Sequence, residues 1–364
     1  LLFILSLSCI LSPSCKKDFF LHDESALLEF TNDSLYMDTV ITDLGTTTGF
    51  FMVFNNYKKK IMIDKINLLN GAQSDYIFNV NGVKSAQANN MIIEAKDSLY
   101  IFVQAKLKRN NHDTLGLHTD ELQFWFNNKM QSVKIVSWGK DAEFLKNRII
   151  NTQTWGKGKS YLVFDSLIVE KDNTLTIEEG VTVFFKQGAN LIINGTLLVN
   201  GTKEKPVVFQ GNRMEFTFQQ RHGQWGSIMF RNTSRNNKLN YAHIKNGTTA
   251  CYIYDDSPSQ VDIELNNTFI ENMSYAGIYS SNSKVKVTNC VITDCNKYLI
   301  ELTGGGNYDF IHTTFSNYDN KQATRTTSSI YVTDKKLQTD ESQTNPFTNI
   351  WFVNSIIVGA SQDE

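Results

Sequence analysis

The stretch that decides the fold is Ile263-Glu264-Leu265-Asn266-Asn267-Thr268-Phe269-Ile270, together with its copies along the chain. A copy begins 22 residues later at Val285, another 23 residues further at Tyr308, and one 26 residues earlier at Asn237. A last copy begins at Ile350, after a long insertion. Each places polar residues between two short apolar segments. A repeat of this length cannot bury its own apolar face, so the pattern predicts coils stacked at the strand spacing of about 4.8 Å.

Charged residues support this register. In Asp262-Ile263-Glu264-Leu265 the alternation turns the apolar side chains inward and the acids outward, and one coil later Lys284-Val285-Lys286-Val287 has lysines at the same positions. Opposite charges are therefore expected to stack from coil to coil. Each exposed pair contributes only about 0–1 kcal/mol, but the match favours one register.

The segment before the repeats has the pattern of earlier coils. Its progression Glu179-Gly180-Val181, Asn194-Gly195-Thr196-Leu197 and Trp225-Gly226-Ser227-Ile228 resembles the right-handed parallel β-helix family, the pectate-lyase-like superfamily. The resemblance covers residues 160–364 and implies the fold without implying a particular activity. Solenoids need a cap and none is visible after the last strand, so we expect the natural chain to continue beyond residue 364.

Residues 27–143 show a different pattern, with about seven short apolar segments separated by turns, as an immunoglobulin-like sandwich requires. Asn81-Gly82, which tolerates positive φ, marks one hairpin between them. The predicted fold is thus all-β: an immunoglobulin-like sandwich, a linker over residues 144–159, and a right-handed parallel β-helix.

The first eleven residues, Leu-Leu-Phe-Ile-Leu-Ser-Leu-Ser-Cys-Ile-Leu, are almost wholly apolar. They are too few to span a bilayer, which takes roughly 20 residues, and have the length of a signal-peptide core. The chain begins without Met or a basic region, so we expect the extreme N-terminus to be missing. Ser12-Pro13-Ser14-Cys15 follows and resembles the lipobox of bacterial lipoproteins, in which the Cys is lipidated. That family favours Leu where this chain has Ser12; an ordinary signal peptide with an incidental Cys is the alternative.

The continuation Cys15-Lys16-Lys17-Asp18 resembles lipoproteins of the Bacteroidetes, some of which reach the cell surface. The resemblance implies a signal peptide over residues 1–15, a tether over 16–26, and an outer-membrane lipoprotein of the cell envelope, held by its lipid anchor and facing the periplasm or the exterior. The net charge is −2, from 35 basic and 37 acidic residues, and no basic patch interrupts the chain. This argues against a nucleic-acid partner.

Three aspartates are the candidates for ligand or Ca²⁺ binding, Asp255, Asp256 and Asp294, because the β-helix lyases that this chain resembles hold Ca²⁺ with outward aspartates. Carboxylate oxygens suit Ca²⁺. Asp255-Asp256-Ser257-Pro258 is equally an ordinary turn, and the arginines of the helix do not fall at one coil position. We therefore predict no catalytic residue and no resident cofactor, with Ca²⁺ as the one open candidate.

Asp-Ser or Asp-Thr followed by an apolar residue recurs and resembles the O-glycosylation motif of exported Bacteroidetes proteins. The candidate acceptors are Ser34, Thr39, Ser98, Thr114 and Ser166. The alternative is that these pairs open strands after turns.

Two further features favour structural roles. Cys290 replaces Thr268 at the same repeat position, which predicts an inward-stacked small residue rather than a disulfide. Gly304-Gly305-Gly306 lacks the following Lys of a phosphate loop and predicts a turn.

The sequence predicts a non-enzymatic envelope lipoprotein that displays its β-helix to a glycan, or to another envelope protein. The alternatives are a polysaccharide lyase or glycoside hydrolase of the same superfamily, and a purely structural envelope component. An exposed aromatic stripe would favour glycan binding. An acid cluster with a neighbouring Arg would favour an enzyme.

Overall fold

The structure is a computed structural model that describes residues 20–45, 48–109, 115–146, 148–254, 261–318, 326–336 and 340–360, with the backbone alone at 148 and 340–343. These residues are all-β; they contain two three-residue 3₁₀ turns, Gly71–Gln73 and Phe216–Phe218, and no α-helix. No helix long and apolar enough to cross a membrane occurs in this part of the chain. The chain divides into two compact units, an N-terminal sandwich and a C-terminal solenoid.

Within the described residues, the sandwich has ten strands. They are β1 (Glu29–Phe30), β2 (Ser34–Ile41), β3 (Thr48–Phe54), β4 (Ile61–Leu68), β5 (Tyr76–Val80), β6 (Val83–Ser85), β7 (Gln87–Ile93), β8 (Ser98–Ala105), β9 (Gly116–Phe126) and β10 (Lys129–Lys140).

The ten strands form two sheets, in the orders β1-β3-β8-β5-β6 and β2-β10-β9-β4-β7. Neighbours such as β3 and β8, or β4 and β9, are antiparallel. The sheets face each other: the rings of Phe30 and Phe51 lie 5.2 and 6.2 Å from that of Phe124 in the other sheet. The Tyr76 hydroxyl donates to Ser137 Oγ across the same interface at 2.9 Å. A sandwich was predicted, but the short β1 and β6 were missed, and so was β2, whose apolar residues are interrupted by Asp38 and Thr39.

The solenoid contains the remaining strands. They are β11 (Glu143–Leu145), β12 (Arg148–Ile150), β13 (Gln153–Trp155), β14 (Ser160–Val163), β15 (Ser166–Val169), β16 (Thr174–Glu178), β17 (Thr182–Phe185), β18 (Asn190–Ile193), β19 (Thr196–Asn200), β20 (Val207–Gly211), β21 (Trp225–Phe230), β22 (Asn237–Asn240), β23 (Ala242–Lys245), β24 (Gly247–Tyr254), β25 (Asp262–Asn266), β26 (Phe269–Glu271), β27 (Ala276–Thr288), β28 (Val291–Thr293), β29 (Tyr298–Ile311), β30 (Thr314–Asn317), β31 (Ile330–Thr333), β32 (Lys335–Lys336), β33 (Asp340–Thr344), β34 (Phe347–Val353) and β35 (Ile356–Gly359).

These strands wind into coils with three faces. The first face stacks β11-β14-β17-β20-β23-β26-β28-β30-β35. The second face begins β12-β15-β18-β21-β24, and the third begins β13-β16-β19-β22-β25. The long strands β27 and β29 turn the corner from the second face to the third. The strands of neighbouring coils pair in parallel, so the solenoid is a parallel β-helix.

The solenoid begins earlier than the sequence suggested. Residues 144–159 were predicted as a linker, but β11, β12 and β13 pair in parallel with β14, β15 and β16 and form a complete first coil. Strands of three residues are too short to show a period in the sequence, and the pattern became visible only one coil later.

The repeat register is confirmed. Ile263 pairs with Asn237 below it and Val285 above it, and Tyr308 pairs with Val285 and Ile350. The predicted charge pairs, Asp262 with Lys284 and Glu264 with Lys286, are opposite each other. The second of these columns extends further than predicted, through Lys238 below and Asp309 above; Lys238 Nζ lies 3.8 Å from Glu264 Oε2.

From β22 onward, one residue in the left-handed region joins the third face of each coil to the first face of the next. These residues are Tyr241, Asn267, Asn289, His312 and Asn354, with φ between 48° and 54°. Asn is favoured because it tolerates this conformation and its amide can bond to a neighbour. Asn289 Nδ2 donates to Asn267 Oδ1 at 2.6 Å, and Asn267 Nδ2 donates to Asn240 Oδ1 at 3.1 Å. We call this stack the asparagine corner.

The next residue of each coil is small and points inward, as predicted for Cys290. Its Sγ accepts the Thr268 N–H at 3.3 Å and lies 3.2 Å from the Thr288 carbonyl oxygen. Cys251, Cys290 and Cys295 are buried free thiols. Burial raises the pKa of Cys290 to about 11 and that of Cys295 to about 12, so both thiols stay protonated and unreactive.

The glycine triplet is a corner, as predicted. At residues 304–306, β29 turns from the second face to the third with φ of 60°, 86° and 120°. A Cβ on Gly306 would lie 2.6 Å from the Ser283 carbonyl oxygen and the Tyr308 ring, so only glycine fits there.

We expect Asn267→Ala to destabilise the solenoid more than Asn267→Gly, by about 1 kcal/mol. Both variants lose the amide ladder, but only Ala places a Cβ in the left-handed region, which costs about 1–2 kcal/mol. Urea denaturation of both variants measures the difference. Equal losses would show that backbone conformation is not the constraint at this corner.

Candidate functional site

One outward column of the second face carries three tyrosines and a glutamate. From β21 to β31 the paired residues are Met229, Tyr252, Tyr279, Glu301 and Tyr331. Parallel register stacks equivalent positions directly above one another, so residues distant in sequence form a single line. The Tyr252 and Tyr279 rings are stacked, with centroids 4.7 Å apart and planes 14° apart.

Two more tyrosines flank this line. Tyr298 stacks on Tyr331 at 5.5 Å and meets Tyr275 edge-on at 6.0 Å. Lys297 Nζ lies 4.9 and 5.0 Å from the ring centroids of Tyr275 and Tyr298, in cation–π geometry. We define the tyrosine–glutamate cluster as Tyr252, Tyr275, Tyr279, Tyr298, Glu301 and Tyr331.

Glu301 is the buried charge at the centre of this cluster. It is 2% exposed, and its Oε2 accepts the Tyr275 hydroxyl at 2.7 Å. Burial raises the pKa of Glu301, outweighing the hydrogen bond from Tyr275 and the charge of Lys297, which both lower it. Burial also raises the pKa of Tyr275, and the bond to Glu301 raises it further. Tyr275 is therefore a donor at neutral pH, and Glu301 keeps its proton to a higher pH than an ordinary carboxyl.

The cluster has a buried floor and a more accessible rim. Tyr279, Tyr298 and Glu301 are buried, whereas Tyr252, Tyr275 and Tyr331 are half-buried. Burial raises the pKa of Tyr279 to about 12, and its hydroxyl lies 3.4 Å from Thr303 Oγ1. Aromatic faces and neutral hydroxyls together suit a ligand that has both apolar and hydroxyl-bearing faces.

Asp294 occupies a corner position rather than a ligand cluster. Its φ of 52° matches those of Asn272 and Asn246, the corner residues of the preceding coils. Its Oδ2 accepts the Thr293 hydroxyl at 3.0 Å. Ca²⁺ takes six to eight oxygen ligands, and within the described ranges no group of three His, Cys, Asp or Glu residues could hold a metal ion. Asp294 alone does not fit Ca²⁺; Asp255 and Asp256 lie outside the described residues.

The candidate glycosylation sites fall on strands. Ser34, Ser98 and Ser166 are the first residues of β2, β8 and β15, and Thr39 lies within β2; all four are half-buried. Thr114 and the lipidation candidate Cys15 lie outside the described residues. The strand-opening interpretation accounts for three of the positions, and modification stays a prediction.

The sequence contained a signal for the cluster that went unused. Tyr275 and Lys297, like Tyr279 and Glu301, are 22 residues apart, the same spacing as Ile263 and Val285. Extending the aligned repeat segments to the residues that precede them would have brought these pairs into register. Tyr331 could not be placed this way because its coil carries the long insertion.

Comparison with known proteins agrees with the fold of the solenoid. Residues 147–253 match a family model described as a pectate-lyase-like β-helix domain. Together with the parallel coils, this match supports a β-helix of the pectate-lyase-like type for the solenoid. The match includes Tyr252 but ends before the other five members of the cluster. No curated protein matches the sequence.

Similarity to solved structures is weak. A PapD-like domain of human CEP192 is 11% identical, with 38% of this chain and 98% of that one covered and a TM-score of 0.22. A family 123 glycoside hydrolase from Clostridium perfringens is 6% identical, with 31% and 27% covered and a TM-score of 0.22. The periplasmic chaperone SfaE is 11% identical, with 31% and 57% covered and a TM-score of 0.21. The chain thus spans about a quarter and about half of the last two. TM-scores this low support no functional conclusion.

We expect Glu301→Gln to raise the melting temperature at pH 7 by a few degrees. A raised carboxyl pKa means that the folded state loses stability as the pH rises from the ordinary Glu pKa of about 4.3 through the raised value. Gln keeps an acceptor for Tyr275 and removes the buried charge. Melting curves between pH 4 and pH 8 should show the gain vanish near pH 4.

The matched control is Glu264→Gln, which removes a half-exposed carboxylate that faces solvent on the third face. It should change the melting temperature little. A Glu301→Gln effect that is independent of pH would contradict the assignment of a buried, destabilising charge.

Proposed function

We propose that this protein is a cell-envelope lipoprotein that binds glycan on the second face of its β-helix, through the tyrosine–glutamate cluster. One observation carries the proposal: five tyrosines and a buried carboxylate meet on the outward side of the solenoid. The hydrophobic core of the solenoid does not include Glu301, Tyr252, Tyr275 or Tyr331. Burial raises the pKa of the Glu301 carboxyl, and groups with strongly perturbed pKa values concentrate at functional sites.

The chemistry of the cluster favours a sugar ligand. Sugar rings have C–H faces that pack on aromatic rings, and hydroxyls that need hydrogen-bond partners. Tyrosine offers both a ring and a hydroxyl, and the Glu301 carboxyl accepts or donates according to its protonation. The column follows the stacking direction of the coils, so an extended polymer could contact several coils at once.

Substituting the rim tests this proposal. The full chain carrying Cys15→Ser, which prevents lipidation, is run through native gels containing neutral or acidic polysaccharides. We expect retardation by at least one polysaccharide. Tyr252→Ala and Tyr331→Ala should each weaken it about 3- to 10-fold, because an aromatic contact contributes about 0.5–1.5 kcal/mol.

Phe269→Ala is the matched control, since this half-buried ring contacts His243 on the first face and lies outside the cluster. It should leave retardation unchanged. Failure of every polysaccharide to retard the protein, or equal loss in the control, would refute glycan binding at the cluster.

A polysaccharide lyase or hydrolase is the second candidate, because Glu301 has a property of a general acid: a buried carboxyl with a raised pKa. A hydrolase would also need a second carboxylate across the sugar. The test measures reducing ends and ultraviolet absorbance of unsaturated products, with and without chelator, for the native sequence and Glu301→Gln. Product formation that Glu301→Gln abolishes in a folded protein would establish the enzyme; binding without turnover supports the first proposal.

The lipid anchor rests on the apolar segment at residues 1–11 and on Cys15. Supplied with an initiating Met and two lysines, the chain expressed in a Gram-negative host should incorporate labelled palmitate and partition into detergent. Cys15→Ser should lose the label, whereas Cys9→Ser should keep it. Labelling that persists in Cys15→Ser would exclude this anchor.

A further inference from the structure

The sandwich carries a second aromatic surface, separate from the β-helix. Phe50 on β3 and Tyr100 and Phe102 on β8 are 56%, 48% and 41% exposed, on the outer side of the first sheet. Their three ring centroids form a nearly equilateral triangle with sides of 6.0, 6.2 and 6.2 Å. The Tyr100 and Phe102 planes differ by 16°, and the Phe50 plane is tilted by 35° from that of Tyr100 and by 42° from that of Phe102. We call these three rings the aromatic platform.

The register of the sheet explains why the rings meet. Phe50 pairs with Phe102 across β3 and β8, and Tyr100 is two residues away on the same side of β8. The intervening residues, Phe51 and Ile101, point into the sandwich core and are buried. The core therefore fixes the backbone beneath the platform, and the exposed rings add nothing to that core.

Hydrogen-bonding side chains border the platform. Gln104 Nε2 donates to Thr48 Oγ1 at 2.9 Å, and Lys84 Nζ donates to Gln104 Oε1 at 2.9 Å. Asn79 pairs with Phe102 from the other side and is half-buried. Amide, hydroxyl and ammonium groups thus lie at the edge of the rings, at positions that face outward on the same sheet.

We propose that the aromatic platform is a carbohydrate-binding site that stacks one face of a sugar ring on Phe50, Tyr100 and Phe102, with Asn79, Gln104 and Lys84 placed to bond its hydroxyls. An apolar protein partner would leave these polar groups buried and incompletely bonded, which is costly. A hydroxyl-rich ring satisfies them, while its C–H face covers the aromatic carbon. This site does not depend on glycan binding at the tyrosine–glutamate cluster.

Two sites on one chain would act together on a polymer. When one site holds a glycan long enough to reach the other site, the second site meets that glycan at a high effective concentration. Loss of either site should then weaken retardation by a polysaccharide more than it weakens binding of a short oligosaccharide.

The test removes each site in turn from the full chain carrying Cys15→Ser. In the double variant Tyr252→Ala/Tyr331→Ala, any retardation by polysaccharide that remains comes from sites outside the tyrosine–glutamate cluster. Adding Phe50→Ala/Phe102→Ala should then reduce it at least fivefold, and Phe102→Trp, which keeps an aromatic ring, should preserve it. Tyr36→Ala is the matched control: it removes a 68% exposed ring from the other sheet and should have no effect.

The outcomes separate this inference from the proposed function. Retardation that depends on Tyr252 and Tyr331 and ignores Phe50 and Phe102 would overturn the platform and leave the cluster standing. A concentration-dependent dimer in light scattering that Phe50→Ala/Phe102→Ala abolishes would make the platform an interface between copies, and would also overturn it. Loss of retardation with Phe50→Ala/Phe102→Ala alone, at an unchanged melting temperature, supports the platform whether or not the tyrosine–glutamate cluster binds glycan.

Discussion

The arrangement of the solenoid depends on the parallel hydrogen-bond register between neighbouring coils. From β22 onward, a left-handed residue at the corner between the third and first faces helps to hold this register. Asn267 and Asn289 show how: each adopts a positive φ, and their amides bond along the stack. The adjacent Thr268 and Cys290 then turn inward together. Once this corner is set, the position of a side chain on the three faces follows from its distance along the coil, except where the register shifts at Ser227/Ile228, Ser281/Ser283 and Gly306/Asn307.

The tyrosine–glutamate cluster is a product of that register. Tyr252, Tyr279, Glu301 and Tyr331 belong to four different strands and become neighbours only because the coils stack without a slip. The same stacking buries Glu301 beneath half-exposed rings, which raises its pKa. The backbone register thus brings the side chains of the cluster together and buries Glu301. The side chains themselves supply the aromatic faces, hydroxyls and carboxyl that a ligand would contact.

Sequence reasoning succeeded where a pattern repeats over a long range. The copies at Asn237, Ile263, Val285, Tyr308 and Ile350 all occupy equivalent positions, and the charge pairs were placed correctly. It failed where elements are short: the three-residue strands of the first coil, and β1 and β6 of the sandwich, contain no full period. The site was missed for another reason. Burial of Glu301 depends on neighbours from other coils, and no local pattern in the sequence marks it.

The asparagine corner also bears on how such a protein can change by gene duplication. Because the coils from β22 onward meet through the same corner, a duplicated coil in this part would find its partners on both sides already in place. Its outward residues would be duplicated with it, so a column of binding residues could lengthen by one coil at a time without changes to the core residues. The long insertion before Ile350 shows that a single coil can also carry extra residues between its strands, because Tyr308 and Ile350 still pair.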